Sequence, residues 1–300
     1  MESVTIYNKI ISSDVLVGII SRIKEKKELV HLDEKVCLRY IITYFMQHGK
    51  ALAKFSEAKD FSSIQRSKEV DELIKAVREE VRLVYGLYQT EDISKIDHLL
   101  DKLEKDFKNK SIERTKDDHD RILRLNRSTS ERLEFYEKFF SDIFAITDKP
   151  ISIIDLACGL NPMAWPYYQL RNVRYTACEL NEQDVQHLQR YFDIIKPYTG
   201  IQGKAVKLDL TKDSLDGFTA DVCFLLKVLD LLDASVAERI ITSLRCRWIV
   251  ASFPTKTITE QAMRFKRRAG FQKMLRRLGL KYQTLTYENE LVYIITKETL

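Results

Sequence analysis

The period of polar and apolar positions changes near residue 150. Before it, apolar side chains recur every three or four residues, the spacing of one helix face. The stretch "DEKVCLRYIITYFMQHGKAL" aligns Val36, Tyr40, Ile41, Tyr44 and Phe45, and "VDELIKAVREEVRLVYGLY" aligns Leu73, Ile74, Val77, Val81 and Val84. "SERLEFYEKFFSDIF" does the same with Leu133, Tyr136, Phe139, Phe140 and Ile143, and Ser128 or Thr129 is placed to cap its start. The spacing predicts a helical N-terminal domain over residues 1–147.

From Pro150 onward, short runs rich in Ile, Val and Tyr alternate with helical patterns: "ISIIDLA", "VRYTACE", "GKAVKLD", "ADVCFLL" and "RWIVASF". Each has the length of a buried strand, and the alternation predicts a parallel sheet wrapped by helices over residues 148–300. Two last runs, "LKYQTLTYE" and "ELVYIITK", are separated only by Asn289. So short a link requires an antiparallel pair, because parallel neighbours need a long crossover. The predicted class is therefore α/β, a Rossmann-like seven-stranded sheet whose last strand is antiparallel. That order is similar to the class I S-adenosylmethionine methyltransferases.

In an open parallel sheet, ligands bind beyond the carboxyl ends of the strands, where the strand order reverses. The first such end carries Asp155 and the loop Ala157-Cys158-Gly159-Leu160-Asn161. Gly159 lets a backbone approach a ligand closely. The second ends at Glu179, at an offset from the glycine that suits a carboxylate accepting both ribose hydroxyls. The third ends at Asp209, followed by Leu210, where an adenine amino group would find an acceptor. A single loop glycine makes no phosphate cradle, so a nucleoside without a pyrophosphate fits better than a dinucleotide. Any one of these acids alone has a second reading, as a helix cap or a surface charge.

Composition narrows the field. The chain has 300 residues, 45% of them hydrophobic, enough for one large core or two domains. It has no run of about 18 apolar residues, and its start reads as no secretory signal. Five cysteines without a Cys-x-x-Cys pair and five scattered histidines predict buried reduced thiols, no metal centre and a cytoplasmic setting, with no membrane partner. The net charge is +5, and residues 1–150 balance 28 cations against 28 acids, so the excess lies in the second half. There "RFKRRAGFQKMLRR" holds Arg264, Lys266, Arg267, Arg268, Lys273, Arg276 and Arg277 without an acid. That density points to a polyanion, with a solvated helix face as the alternative. Phe265, Phe271, Met274 and Leu275 supply the inward stripe that would turn these cations outward.

The segments "STSERLEFYEKFFSDIF", "DLACGLNPMAWP", "FLLKVLDLLD", "ASFPTK" and "NELVYIITK" stand in an order that resembles the aminoglycoside-resistance methyltransferases of 16S ribosomal RNA, the Arm/Rmt group. That family modifies N7 of a guanine in the decoding site. The resemblance runs from about Val70 to Lys297. It implies S-adenosylmethionine as cofactor, 16S rRNA in the small ribosomal subunit as partner, a monomeric enzyme and antibiotic resistance as a family theme. It also implies a cofactor set of Arg132, Asp155, Ala157, Gly159, Asn161, Glu179, Leu180, Asp209, Leu210 and Leu226. Lys227, Ser252, Phe253 and Pro254 would position the target. Lys256 would join the seven basic-stretch cations on RNA. Two departures stand out. Asn126 occupies a family His and Ser130 a family Arg near the cofactor carboxylate, leaving Arg132 as the nearest cation. After Thr255 the chain reads Lys-Thr-Ile-Thr-Glu-Gln, without the family's paired glycines.

Guanine N7 carries an in-plane lone pair, so its methylation needs alignment rather than a general base. No cysteine follows a proline, as pyrimidine C5 methylation would want, and "LLKVLDLLD" lacks the Pro-Pro-aromatic pattern of amino methylation. Lys227 keeps a 2′-hydroxyl reaction open. Two other readings stand beside the RNA enzyme: a methyltransferase of this fold acting on a small molecule or protein, and a binding module that has lost catalysis.

Overall fold

The apolar runs after Pro150 form one seven-stranded sheet, covered by helices of residues 96–147 and by helices between the strands. The computed structural model describes residues 2–26, 29–30, 32–81, 91–109, 112–256 and 268–297. The chain forms two compact units, Met1–Glu91 and Asp92–Leu300.

The first unit opens with a hairpin, β1 (Val4–Ile6) and β2 (Lys9–Ile11), that helical periodicity did not foretell. Among the described residues five α-helices follow: α1 (Ser13–Ile23), α2 (Glu34–Gln47), α3 (Gly49–Ser56), α4 (Phe61–Ile64) and α5 (Lys68–Val81). The stripes of α2 and α5 bury Val36, Ile41 and Phe45, and Leu73, Ile74, Val77 and Val81; Tyr40 and Tyr44 lie half-buried on the flank. Val84 lies outside the described residues. In α1, a side chain at Gly18 would collide with the Phe61 ring, so the glycine admits that close approach.

The second unit begins with α6 (Ile96–Lys108), α7 (Ile112–Leu123), α8 (Arg127–Arg132) and α9 (Tyr136–Thr147). The compact division thus falls between residues 91 and 92, whereas the change of texture suggested 147 and 148. The apolar faces of α6, α7 and α9 pack on the sheet and group with it: Leu100, Leu103, Ile122, Phe139, Phe140 and Ile143 share a core with Ile153, Phe224 and Val250. The predicted helix across residues 128–143 is two helices. Ser128 and Thr129 lie inside α8, whose cap is Asn126, and a turn at Leu133–Phe135 precedes α9. Across the break the Arg132 guanidinium lies over the Phe139 ring of α9, 5.6 Å from its centre.

The sheet strands are β3 (Ser152–Leu156), β4 (Arg174–Glu179), β5 (Gln202–Lys207), β6 (Thr219–Leu226), β7 (Arg245–Pro254), β8 (Lys281–Thr286) and β9 (Glu290–Thr296). Their order is β5-β4-β3-β6-β7-β9-β8. Strand β9 is antiparallel to both neighbours, and the pairs from β5 across to β7 are parallel. Alternate residues serve two cores, with Ile153, Tyr175 and Val222 toward the early helices and Ile154, Cys178 and Cys223 toward the opposite face. That opposite face is covered by α12 (Ala234–Ser243) and α13 (Ala269–Arg277); α10 (Trp165–Tyr168) and α11 (Glu182–Thr199) join the first layer. Among the described residues, no helix is long and apolar enough to cross a membrane. The order reverses between β3 and β6, which opens a crevice at their carboxyl ends.

Candidate active site

The crevice is built on two residues with unusual backbones. Ala157 (φ 51°) and Lys227 (φ 57°), at the ends of β3 and β6, both adopt the left-handed conformation that side chains disfavour. Strain of this kind persists where the surroundings over-determine it, commonly at functional sites. The strand ends hold it here. The Lys227 N–H donates to the Ser252 hydroxyl at 3.0 Å, and the Cys158 N–H to the Cys178 carbonyl at 3.2 Å.

Glu179 reaches back from β4 to the loop. Its Oε1 accepts the Gly159 N–H at 2.6 Å and its Oε2 the Leu180 N–H at 3.1 Å. Burial pushes its carboxyl above the ordinary carboxylate range, opposed by those two bonds. Asp155 is fully buried. Its Oδ2 accepts from the Asn161 amide and from the Tyr175 hydroxyl, each at 2.7 Å, while its Oδ1 meets no donor among the described residues. Burial pushes this carboxyl up to about 7, against those hydrogen bonds and the Arg132 charge. Asn161 is consumed within the fold, since its Oδ1 also accepts the Tyr136 hydroxyl at 3.1 Å. The Asp209 carboxylate accepts the Thr211 N–H and hydroxyl at the end of β5. Leu210 and Leu226 are buried and line their strand ends with apolar surface. Trp165 and Tyr167 pack inward, Trp165 donating to the Leu170 carbonyl and Tyr167 lying against Tyr136.

A chain of charges closes the β6–β7–β9 side. Arg132 grips Glu290 through two bonds of 2.8 Å, with both side chains buried. The Lys227 ammonium lies 2.7 Å from Glu131 and 3.5 Å from Glu290, and Arg127 pairs with Glu131 at 2.7 Å. Arg132, read from sequence as a cation for the cofactor, is therefore committed to Glu290. Sequence reasoning missed Glu290 and Glu131. The only signal was an acid opening the apolar run of β9.

The target-facing and basic residues divide. Ser252 is buried beside Lys227, and Phe253 is buried under the Arg268 guanidinium, 5.4 Å from its ring centre. Arg268 also bonds Asp230 and the Pro254 carbonyl, so it does not face outward as the stripe suggested. Lys256 pairs with Glu288 and Arg277 with Glu238. Lys273 and Arg276 are exposed and form no ion pair among the described residues, while Leu275 is buried and Phe271 and Met274 pack beneath. Arg264, Lys266, Arg267 and Phe265 lie outside the described residues. A cavity of about 680 Å³ runs between α12 and α13, floored by Phe253, Phe271 and Met274.

Strand order, antiparallel last strand and a glycine loop facing a β4 acid together define a class I methyltransferase fold. A family model described as "Ribosomal RNA methyltransferase (FmrO)" matches residues 44–294. The chain belongs to that family. Relatives named 16S rRNA (guanine(1405)-N(7))-methyltransferase include one from Frankia casuarinae, 29% identical over 183 residues, or 59% of this chain and 63% of that protein. Another, from Micromonospora echinospora, is 31% identical over 59% of this chain and 65% of its own length. The match thus spans just under two thirds of those relatives. Among solved structures, the 16S rRNA methyltransferase RmtF in complex with S-adenosyl-L-homocysteine aligns at a TM-score of 0.71, with 19% identity, over 95% of this chain and 99% of that one. The 16S rRNA methylase RmtB aligns at 0.63, also with 19% identity, over 94% and 98%.

Proposed function

We propose that the protein transfers a methyl group from S-adenosylmethionine to N7 of a guanine in 16S rRNA of the small ribosomal subunit. The observation that carries this reading is the Gly159 loop held by Glu179 at the switch point of a ribosomal RNA methyltransferase-family chain. The residues fit the cofactor. A side chain at Gly159, itself at φ 52°, would fill the loop's cradle, and Asp155 keeps one buried oxygen without a donor among the described residues. Glu179 would hold the ribose hydroxyls, Leu210 and Leu226 the adenine, and Asp209 its amino group. The cofactor supplies the electrophilic methyl.

The chain's own part is alignment. N7 attacks with a lone pair in the ring plane and releases no proton, so no base is consumed. The acids and cations around Lys227 are committed to each other, and burial raises the thiols of all five cysteines. That suits a reaction of positioning. Lys227, held by two carboxylates, is occupied where a 2′-hydroxyl mechanism would need it. Ser252, Phe253 and Pro254 would shape the target's seat. Lys256 and Arg277 exchange or share their ion pairs on meeting phosphates, Lys273 and Arg276 meet them directly, and Arg268 is held inward.

The test is methyl transfer to unmodified small subunits, followed by borohydride and aniline treatment and primer extension. A new strand break marks N7-methylguanosine. Transfer without a break moves the reaction to another atom, and no transfer to subunits or naked rRNA overturns the reading. For the cofactor, Glu179→Ala is expected to weaken S-adenosylhomocysteine by about 1.5–3 kcal/mol, the worth of a hydrogen bond to a charged group. Unchanged calorimetric affinity would remove Glu179 from the site.

A further inference from the structure

A methionyl carboxylate entering the Gly159 loop needs a donor, and the cations nearby are already engaged. Arg132 is locked on Glu290 by two bonds. Lys227 lies between Glu131 and Glu290, and Arg127 is held by Glu131. Ser130, one turn into α8, brings no charge. The Asn126 side chain, only 7% exposed, sits against the loop: a Cβ built on Gly159 would lie 3.1 Å from its Nδ2. Its Oδ1 is spent capping α8, accepting the Ser128 N–H at 3.0 Å and the Thr129 N–H at 3.4 Å. Capping fixes the flip of the amide, because only oxygen accepts from those two N–H groups, so Nδ2 is the atom turned to the loop. Among the described residues, Nδ2 donates to none.

We infer that Asn126 is the carboxylate-binding residue of the cofactor site, with Nδ2 donating to the methionyl carboxylate while Oδ1 holds the helix. The inference rests on the proposed cofactor. A carboxamide does both tasks at once. An acid at this position caps equally well but meets the ligand's carboxylate with like charge, and a hydroxyl caps without reaching the loop.

The discriminating experiment pairs two ligands with two variants. The ligands are S-adenosylhomocysteine and its decarboxylated form, which keeps the ribose, adenine and amine but lacks the carboxylate. Asn126→Asp is expected to keep the wild-type melting temperature. It should weaken S-adenosylhomocysteine about tenfold or more, the loss of a hydrogen bond to a charged group. It should leave the decarboxylated ligand unchanged or tighter. Asn126→Ser should act in the same direction and covers the case in which the Asp variant fails to fold. Unchanged affinity for S-adenosylhomocysteine in a folded variant overturns the inference. So does an equal loss for both ligands, since that makes Asn126 a support of the loop alone. If the wild-type protein binds neither ligand, the cofactor reading itself fails, an outcome distinct from the other two.

Discussion

Arg132→Met is expected to lower the unfolding free energy by roughly 3–5 kcal/mol, the cost of leaving a buried charge without its partner. Glu290 is fully buried, and Arg132 supplies both of its close guanidinium bonds. The remaining cation, Lys227, stands 3.5 Å away and is shared with Glu131. Burial pushes the Glu290 carboxyl up, but Arg132 and Lys227 outweigh it and hold the group below its ordinary range. An acid depressed in the folded state contributes stability that is fully present above its unfolded value, about 4.3, and lost as pH falls through the folded one. The gap between wild type and variant should therefore be widest near pH 7 and narrow toward pH 3, where Glu290 takes up a proton. Urea unfolding at both values measures it. Pairing the change with Glu290→Leu should recover most of the loss, because Lys227 keeps Glu131. A single-variant loss below about 1 kcal/mol would mean that water already reaches Glu290.

This ion-pair chain marks where local pattern stops being informative. Strand period located all seven strands of the sheet, and helical period found the faces that pack, because both follow from backbone geometry over a few residues. The short Asn289 link set the direction of β9, whereas the offset of Glu179 suggested a ribose acceptor and did not show its 2.6 Å bond to the Gly159 N–H. The partner of Arg132 lies 158 residues away and nothing near position 132 encodes it. Arg268 reads as one more cation in a basic run, yet Asp230 and the Pro254 carbonyl turn it inward. The stripe from Leu133 to Ile143 showed an apolar face without showing which surface it would cover, and α6 and α7 gave no stripe that was singled out. The unit boundary at residue 91 was invisible for that reason. The β1–β2 hairpin is too short, three residues a side, to rise above the helical background.

Asp155→Asn is expected to make the protein more stable and a poorer binder of its cofactor. The wild-type carboxyl is pushed up to about 7 by burial. Between an unfolded value near 3.9 and that folded value, the folded state holds a proton the unfolded state has lost, so stability falls as pH rises and levels off above about 7. Asparagine removes that slope. Its carbonyl oxygen can accept from Asn161 and Tyr175 as Asp155 Oδ2 does, and its amide takes the place of Oδ1, which has no donor among the described residues. The unpartnered amide costs part of the gain, so the net stabilisation at pH 8 should be on the order of 1–3 kcal/mol, shrinking toward zero by pH 5. Urea unfolding from pH 5 to 8 tests this, with a sloping wild-type curve against a flat variant. A fold under no other demand would not keep a buried acid with an unpartnered oxygen when a neutral isostere fits. The demand we assign is the ammonium of the methionyl group, which needs a nearby negative charge that asparagine lacks. Calorimetry with S-adenosylhomocysteine should accordingly show weaker binding in the stabilised variant. A variant that gains stability and keeps its affinity would strip Asp155 of its part in the cofactor site.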